Sequence, residues 1–151
     1  MSERDALARA VAEAMFARDR ASQALGMRVL EARAGFARLA MRVREDMVNG
    51  HDICHGGLIF TLADSAFAFA CNAGNVVTVA LGGAITFLAP ARRGDELIAE
   101  AVEIHRGRTT GVTDVTVTTA DGRAIATFRG NSFELAGEVA PGLGAAPAKR
   151  G

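Results

Sequence analysis

The chain has 151 residues, half of them apolar, and its 17 basic residues balance 17 acidic ones. Such a length and apolar content suit one globular domain and exclude a disordered chain, while the charge balance removes any global electrostatic reason to bind nucleic acid or an anionic membrane. Trp and Tyr are absent, which weakens any base-stacking platform, and two cysteines, Cys54 and Cys71, read as reduced thiols of a cytoplasmic protein and not as a disulfide framework.

Met1 to Arg20 interleaves Glu, Arg and Asp where a signal peptide needs an uninterrupted apolar core. Within it, Asp5 to Phe16 is expected to form an amphipathic helix, with Leu7, Val11, Ala14 and Met15 near one face. Met27 to Arg33 and Phe36 to Arg44 read as two strands joined by a turn at Ala34-Gly35. The second alternates Phe36, Arg38, Ala40, Arg42 and Arg44 against Ala37, Leu39, Met41 and Val43. Asp46 to Cys54 is a polar loop, after which His55-Gly56-Gly57 opens an apolar helix that stops at Asn72-Ala73-Gly74. The longest apolar run, Ala66 to Cys71, is far short of the roughly 18 residues of a membrane span.

Val76 to Leu88 is β-branched and apolar, broken at Gly82-Gly83 by an expected bulge or close backbone approach. Glu96 to His105 and Thr109 to Thr119 follow as strands around the Arg106-Gly107-Arg108 turn. Asp121-Gly122 signals a hairpin, and Arg123 to Leu135 is the last strand. The domain is expected to cover residues 1–136, with a disordered Ala-, Gly- and Pro-rich tail over 137–151. A helix apolar all round must be wrapped, so the order implies an α+β fold with a curved antiparallel sheet around that helix.

Asp64 is the one charged side chain between Gly57 and Cys71. A carboxylate on so apolar a helix costs free energy unless it is paired or faces a cavity, which marks it as a candidate functional group. Amides at a helix start lack intrahelical acceptors and lie at the positive end of the macrodipole, so they suit the oxygen of a carbonyl under attack. Glycine at 56 would let a ligand approach the backbone with no Cβ in the way. Asp64 follows Gly56 by eight residues, roughly 12 Å along a helix, too far for both to act on one reacting centre. A second copy running antiparallel can supply the missing group, so a homodimer is expected as the minimal active unit, paired further into a homotetramer.

Asn49, His55-Gly56-Gly57 and Asp64 at these spacings, with Leu62-Ala63-Asp64-Ser65-Ala66-Phe67-Ala68, Ile85-Thr86-Phe87-Leu88 and Phe128-Arg129-Gly130-Asn131-Ser132, resemble the hotdog-fold acyl-CoA thioesterases, in particular the branch linked to phenylacetate breakdown. The resemblance covers about Leu25 to Leu135. It implies hydrolysis of an acyl-CoA, aryl-acetyl-CoA or hydroxyphenylacetyl-CoA among the candidates, to free acid and coenzyme A. Asp64 would be nucleophile or general base, the Gly56 N–H would polarise the thioester carbonyl, Asn49 would help place water or substrate, and His55 would shape the loop and support the oxyanion site. Ala68 stands where a related branch has a hydroxyl one turn past its carboxylate; Ser65 is the hydroxyl available here.

Gly57 and Ser65 are further candidates for substrate contact, and Arg106, Arg108 and Arg129 for the coenzyme A phosphates, since Arg suits phosphate geometry. No cofactor is expected, coenzyme A being part of the substrate. His51, Asp52, Cys54 and His55 are all possible zinc ligands, but they are crowded and no second cluster completes a site, so no metal is expected. The rivals are an acyl-thioester hydratase or dehydratase, for which His55 would have to be the base, and an acyl-CoA-binding module without turnover.

Overall fold

A computed structural model describes residues 1–146. Its elements are α1 (Glu3–Arg18), α2 (Arg20–Ala24), β1 (Arg28–Arg33), β2 (Phe36–Arg42), α3 (Gly56–Cys71), β3 (Val76–Phe87), β4 (Glu96–Arg106), β5 (Thr110–Thr119) and β6 (Ala124–Glu138). The strands form one six-stranded sheet in the order β1-β2-β4-β5-β6-β3, every neighbouring pair antiparallel. The sheet curves around α3, which touches all six strands. This is the expected hotdog architecture.

The alternation in β2 holds in part, since Phe36 and Ala40 of the expected outer face are buried as well. Ala37, Leu39 and Met41 are fully buried towards α3, and Arg38 and Arg42 lie on the other face. Leu97, Ala99 and Ala101 of β4 and Val115 and Val117 of β5 continue that inner layer. Leu62, Ala63, Ala66, Phe67 and Ala70 of α3 fill the concave side. Small residues on both layers let helix and sheet approach closely; Gly130 is one such position, because a Cβ there would meet the Phe67 ring at 2.8 Å.

α1 is capped by Ser2, whose side chain accepts from the Asp5 N–H. Its buried face is Ala8, Val11 and Ala12, a rotation from the expected Leu7–Val11–Ala14–Met15 stripe that brings alanines against β1. Short α2 follows, which the sequence pattern had not suggested; Asp19 caps it by accepting from the Ser22 N–H.

β3 and β1 are the sheet edges. The ladder between β3 and β6 shifts register between Ala80 and Gly82, at the expected break. Gly83 also makes the expected close approach: an added Cβ would lie 2.7 Å from the Phe128 ring. Most of β3 from Val79 onward is exposed in the isolated protomer, including Leu81 and Phe87. A twelve-residue, largely apolar edge with unpaired amides and carbonyls is a surface that natural folds cover.

The folded domain runs past residue 136. β6 ends at Glu138, and Asn75 then holds the chain that follows: its Nδ2 donates to the carbonyls of Ala140 (3.1 Å) and Gly144 (2.9 Å), and its Oδ1 accepts from the Ala140 N–H (2.7 Å). The Ala146 N–H donates to the Gly74 carbonyl at 2.9 Å. Residues 137–146 are therefore anchored and not a disordered tail; the rest of the expected tail lies outside the described residues. Composition misled here because one buried Asn supplies the bonds that the tail's own side chains lack. Among the described residues no helix is long and apolar enough to cross a membrane.

Candidate active site

The amino end of α3 is built by a loop that the sheet holds in place. The His55 N–H donates to the Met47 carbonyl (2.8 Å) and the Cys54 N–H to the Ala91 carbonyl (2.7 Å). Asn49 Oδ1 accepts from the His51 N–H at 2.9 Å and the Ile53 N–H at 3.5 Å, and Asp52 takes a left-handed φ of 58° to close the turn. Asn49 is thus a turn residue through its oxygen, and its Nδ2 remains as the donor.

His55 is the N-cap of α3, and its Nδ1 accepts from the Gly57 N–H at 2.9 Å. That acceptor role puts the proton of the neutral ring on Nε2 and commits the Gly57 amide, so Gly57 is no free donor for substrate. The Leu58 and Ile59 N–H groups are taken by the His55 carbonyl. Gly56 is the first-turn amide left over, because no preceding residue is helical to accept from it. One N–H without an intrahelical acceptor is thus left at the positive end of α3.

Asp64 lies two turns further on. Gly57, Thr61, Asp64 and Ala68 form the stripe of α3 that the sheet does not cover, with Thr61 Oγ1 donating back to the Gly57 carbonyl at 2.8 Å. The Asp64 carboxylate is half-buried and has no hydrogen bond or ion pair among the described residues. Burial pushes its pKa up from the ordinary carboxylate value. Among the described residues Asp64 is thus a half-buried carboxylate without a partner, on the stripe of α3 that the sheet leaves open.

The other candidates separate. Ser65 Oγ is 2.9 Å from Ser22 Oγ, which donates to Asp19 Oδ2 at 2.6 Å, so Ser65 fastens α2 to α3 and does not face Asp64's side of the helix. Arg106 NH1 donates to the Cys71 carbonyl (2.9 Å) and Glu103 Oε2 (3.0 Å), and its NH2 to Thr78 Oγ1 (3.2 Å) and Glu134 Oε2 (3.0 Å). This caps the carboxyl end of α3 and gives the guanidinium four protein acceptors. Arg129 lies on the outer face of β6, since its neighbour Phe128 points inward onto Phe60 and Phe67, and it forms a two-pronged pair with Asp114. Arg108 is exposed on the β4–β5 turn. The three arginines form no cluster within one protomer.

His51 and Asp52 are exposed and Cys54 is buried, and among the described residues no three His, Cys, Asp or Glu side chains gather as a metal site. Burial raises Cys54 to about 11 and Cys71 to about 12, which leaves both as inert thiols.

The Ile85-Thr86-Phe87-Leu88 segment supplies a neighbour of Gly56 to which the sequence reading gives no role. The ring of Phe87, the last residue of β3, abuts Gly56: a Cβ added at 56 would lie 2.9 Å from Phe87 Cζ.

Residues 51–126 match the family model of the thioesterase superfamily. Over 128 residues the chain is 41% identical to the acyl-coenzyme A thioesterase PaaI of Escherichia coli K12, covering 85% of this chain and 91% of that protein. The solved structure of the E. coli PaaI protein from the phenylacetic acid degradation operon superposes with a TM-score of 0.87 over 89% of this chain and 97% of that one, at 40% identity. A Streptococcus mutans UA159 protein solved bound to acetyl CoA superposes at a TM-score of 0.72, with 28% identity over 74% of this chain and 90% of that chain.

Proposed function

The chain belongs to the thioesterase superfamily, and on that premise we propose that it hydrolyses an acyl-CoA to free acid and coenzyme A in a site shared by two protomers. Asp64 of one protomer and the Gly56 N–H of the other act on the same thioester. The observation that carries this reading is the half-buried Asp64 carboxylate, raised in pKa and unpartnered among the described residues.

The chemistry needs little else. With Asp64 as general base, water adds to the thioester carbonyl as Asp64 takes its proton; with Asp64 as nucleophile, its own addition to the carbonyl expels the thiolate, and water then hydrolyses the acyl-aspartyl anhydride. Negative charge grows on the carbonyl oxygen and is met by the Gly56 N–H; losing one such donor elsewhere costs about 3–4 kcal/mol of barrier. The carbon–sulfur bond then breaks, the thiolate takes up the proton, and acid and coenzyme A leave. Asn49 Nδ2 is the donor that orients water or substrate. A hydratase is disfavoured because His55 Nδ1 is already spent on the Gly57 amide.

Two features support the shared site. Gly56 and Asp64 are separated along one helix by roughly 12 Å, and the exposed β3 edge offers the surface across which a second copy would bring its own α3 antiparallel. Pairing of such dimers into a tetramer is part of the same proposal. The coenzyme A phosphates fall to Arg108, and to Arg129 if a phosphate displaces the exposed Asp114. The resemblance to the phenylacetic-acid operon protein makes an aryl-acetyl-CoA the first substrate to test. Two buried free thiols suit a cytoplasmic enzyme.

The test is a panel of acyl-CoA esters assayed by thiol release with wild type and Asp64→Ala. A loss of roughly two orders of magnitude or more in kcat is expected; a variant as active as wild type would remove Asp64 from the mechanism.

A further inference from the structure

The glycine at 56 has a neighbour that accounts for it. A Cβ at that position would lie 2.9, 3.3 and 3.4 Å from Cζ, Cε2 and Cε1 of Phe87, so the ring meets the Gly56 backbone end-on and fills the space a side chain would need. Phe87 itself is 51% exposed and is not among the side chains of the hydrophobic core. Within the isolated protomer the end of the ring is the part that lies on Gly56. The strand end that carries the ring is fixed from behind, because the Phe87 backbone pairs with Ala126 in the β3–β6 ladder and the next amide, of Leu88, donates to the Ile125 carbonyl at 2.8 Å.

Helix first turns fray, yet an oxyanion donor works only when held to within a fraction of an ångström of the developing charge. We propose that Phe87 is a positioning residue for this reaction: its ring is the stop that seats the Gly56 amide and covers it on one side from water. The inference rests on the active-site reading given above. It also changes the reason for glycine at 56 from room for the ligand to room for the Phe87 ring. Because Phe87 ends the edge strand proposed to meet the second copy, the same ring ties the placement of the donor to the dimer contact.

A four-variant comparison in the intact protein decides it, with thermal melts recorded on each. Phe87→Ala should lower kcat by roughly tenfold to a hundredfold while KM moves by less than about threefold. Gly56→Ala, whose methyl fits only if the ring shifts off its seat, should lose roughly a hundredfold or more. In the double variant Gly56→Ala/Phe87→Ala the collision is gone, and kcat should recover to at least about ten times that of Gly56→Ala alone, a rescue that ordinary loss of packing would not produce. Phe87→Leu is read in the same way as Phe87→Ala should the smaller residue prevent folding. A double variant no better than Gly56→Ala, or wild-type kcat in the Phe87 variants, overturns the proposal. Asp64→Asn run alongside keeps the two ideas apart: wild-type activity there sinks the active-site reading itself, whereas an inactive Asp64→Asn beside fully active Phe87 variants sinks only the role of Phe87.

Discussion

The Arg106 guanidinium donates to the Cys71 carbonyl at 2.9 Å, across 35 residues of sequence, and so places a cation against the last turn of α3. The helix therefore has its positive amino end open at Gly56 and its negative carboxyl end closed by Arg106. Glu103 and Glu134 flank the guanidinium, each at 3.0 Å. Burial works against the charge on Arg106, but these two carboxylates outweigh it and hold the group protonated.

Replacing Arg106 separates a structural role from a substrate contact. Arg106→Ala removes the cation from a partly buried acidic pair and should cost about 3 kcal/mol of stability, read as a drop in the denaturation midpoint. KM for acyl-CoA should stay within about twofold among molecules that remain folded. A large rise in KM at unchanged stability would restore the phosphate-binding role.

The raised pKa of Asp64 makes a prediction about activity and pH. The reaction needs the carboxylate, so kcat/KM should fall as pH drops through a value above the ordinary 3.8. Asp64→Asn should abolish that acid limb together with most of the rate. A limb that survives in Asp64→Asn belongs to another group.

The same shift has an opposite effect on stability. Asp64 has its pKa raised on folding, so its contribution favours the native state below the unfolded-state value and is lost as pH rises through the folded-state value. At pH 7 the charged form is a burden on the fold, and Asp64→Asn should melt a few degrees higher than wild type. The gap should close below about pH 3.8, where both side chains are neutral. Melting curves at pH 7 and pH 3 check the sign; a less stable Asp64→Asn at pH 7 would mean that the carboxylate gains a partner in the assembled enzyme.

Mixed oligomers test the shared site directly. Asp64→Ala and Gly56→Val are each expected to be inactive alone. Unfolded together and refolded, random pairing makes half the dimers hybrids, each with one intact site, so about a quarter of wild-type activity should return. A site confined to one chain would show no recovery.

Asn75 should control the order of the C-terminal segment. It is fully buried, has a φ of 65°, and makes three hydrogen bonds to Ala140 and Gly144. Asn75→Ala loses those bonds and strains the backbone, at a cost of about 2–3 kcal/mol. Hydrogen exchange should show residues 137–146 opening ahead of the rest of the domain, with kcat largely retained in the folded fraction.

Local pattern was enough for much of this protein. The alternation in β2, the start of α3 at His55-Gly56-Gly57, its stop at Asn72 and the break in β3 all follow from backbone periodicity and the special geometry of a few residues, which neighbours in sequence dictate. Asp64 stood out for the same reason, as a charge on a run with no other. The tertiary structure alone decided which polar groups were already spoken for: the Gly57 amide by His55, Ser65 by Ser22, Arg129 by Asp114, and Arg106 by the end of α3. It alone set the Phe87 ring on Gly56 and the C-terminal segment on Asn75. Except for the cap at His55, these partners lie 15 to 69 residues apart, and a contact across such a span is fixed by how the sheet wraps the helix and not by any local repeat.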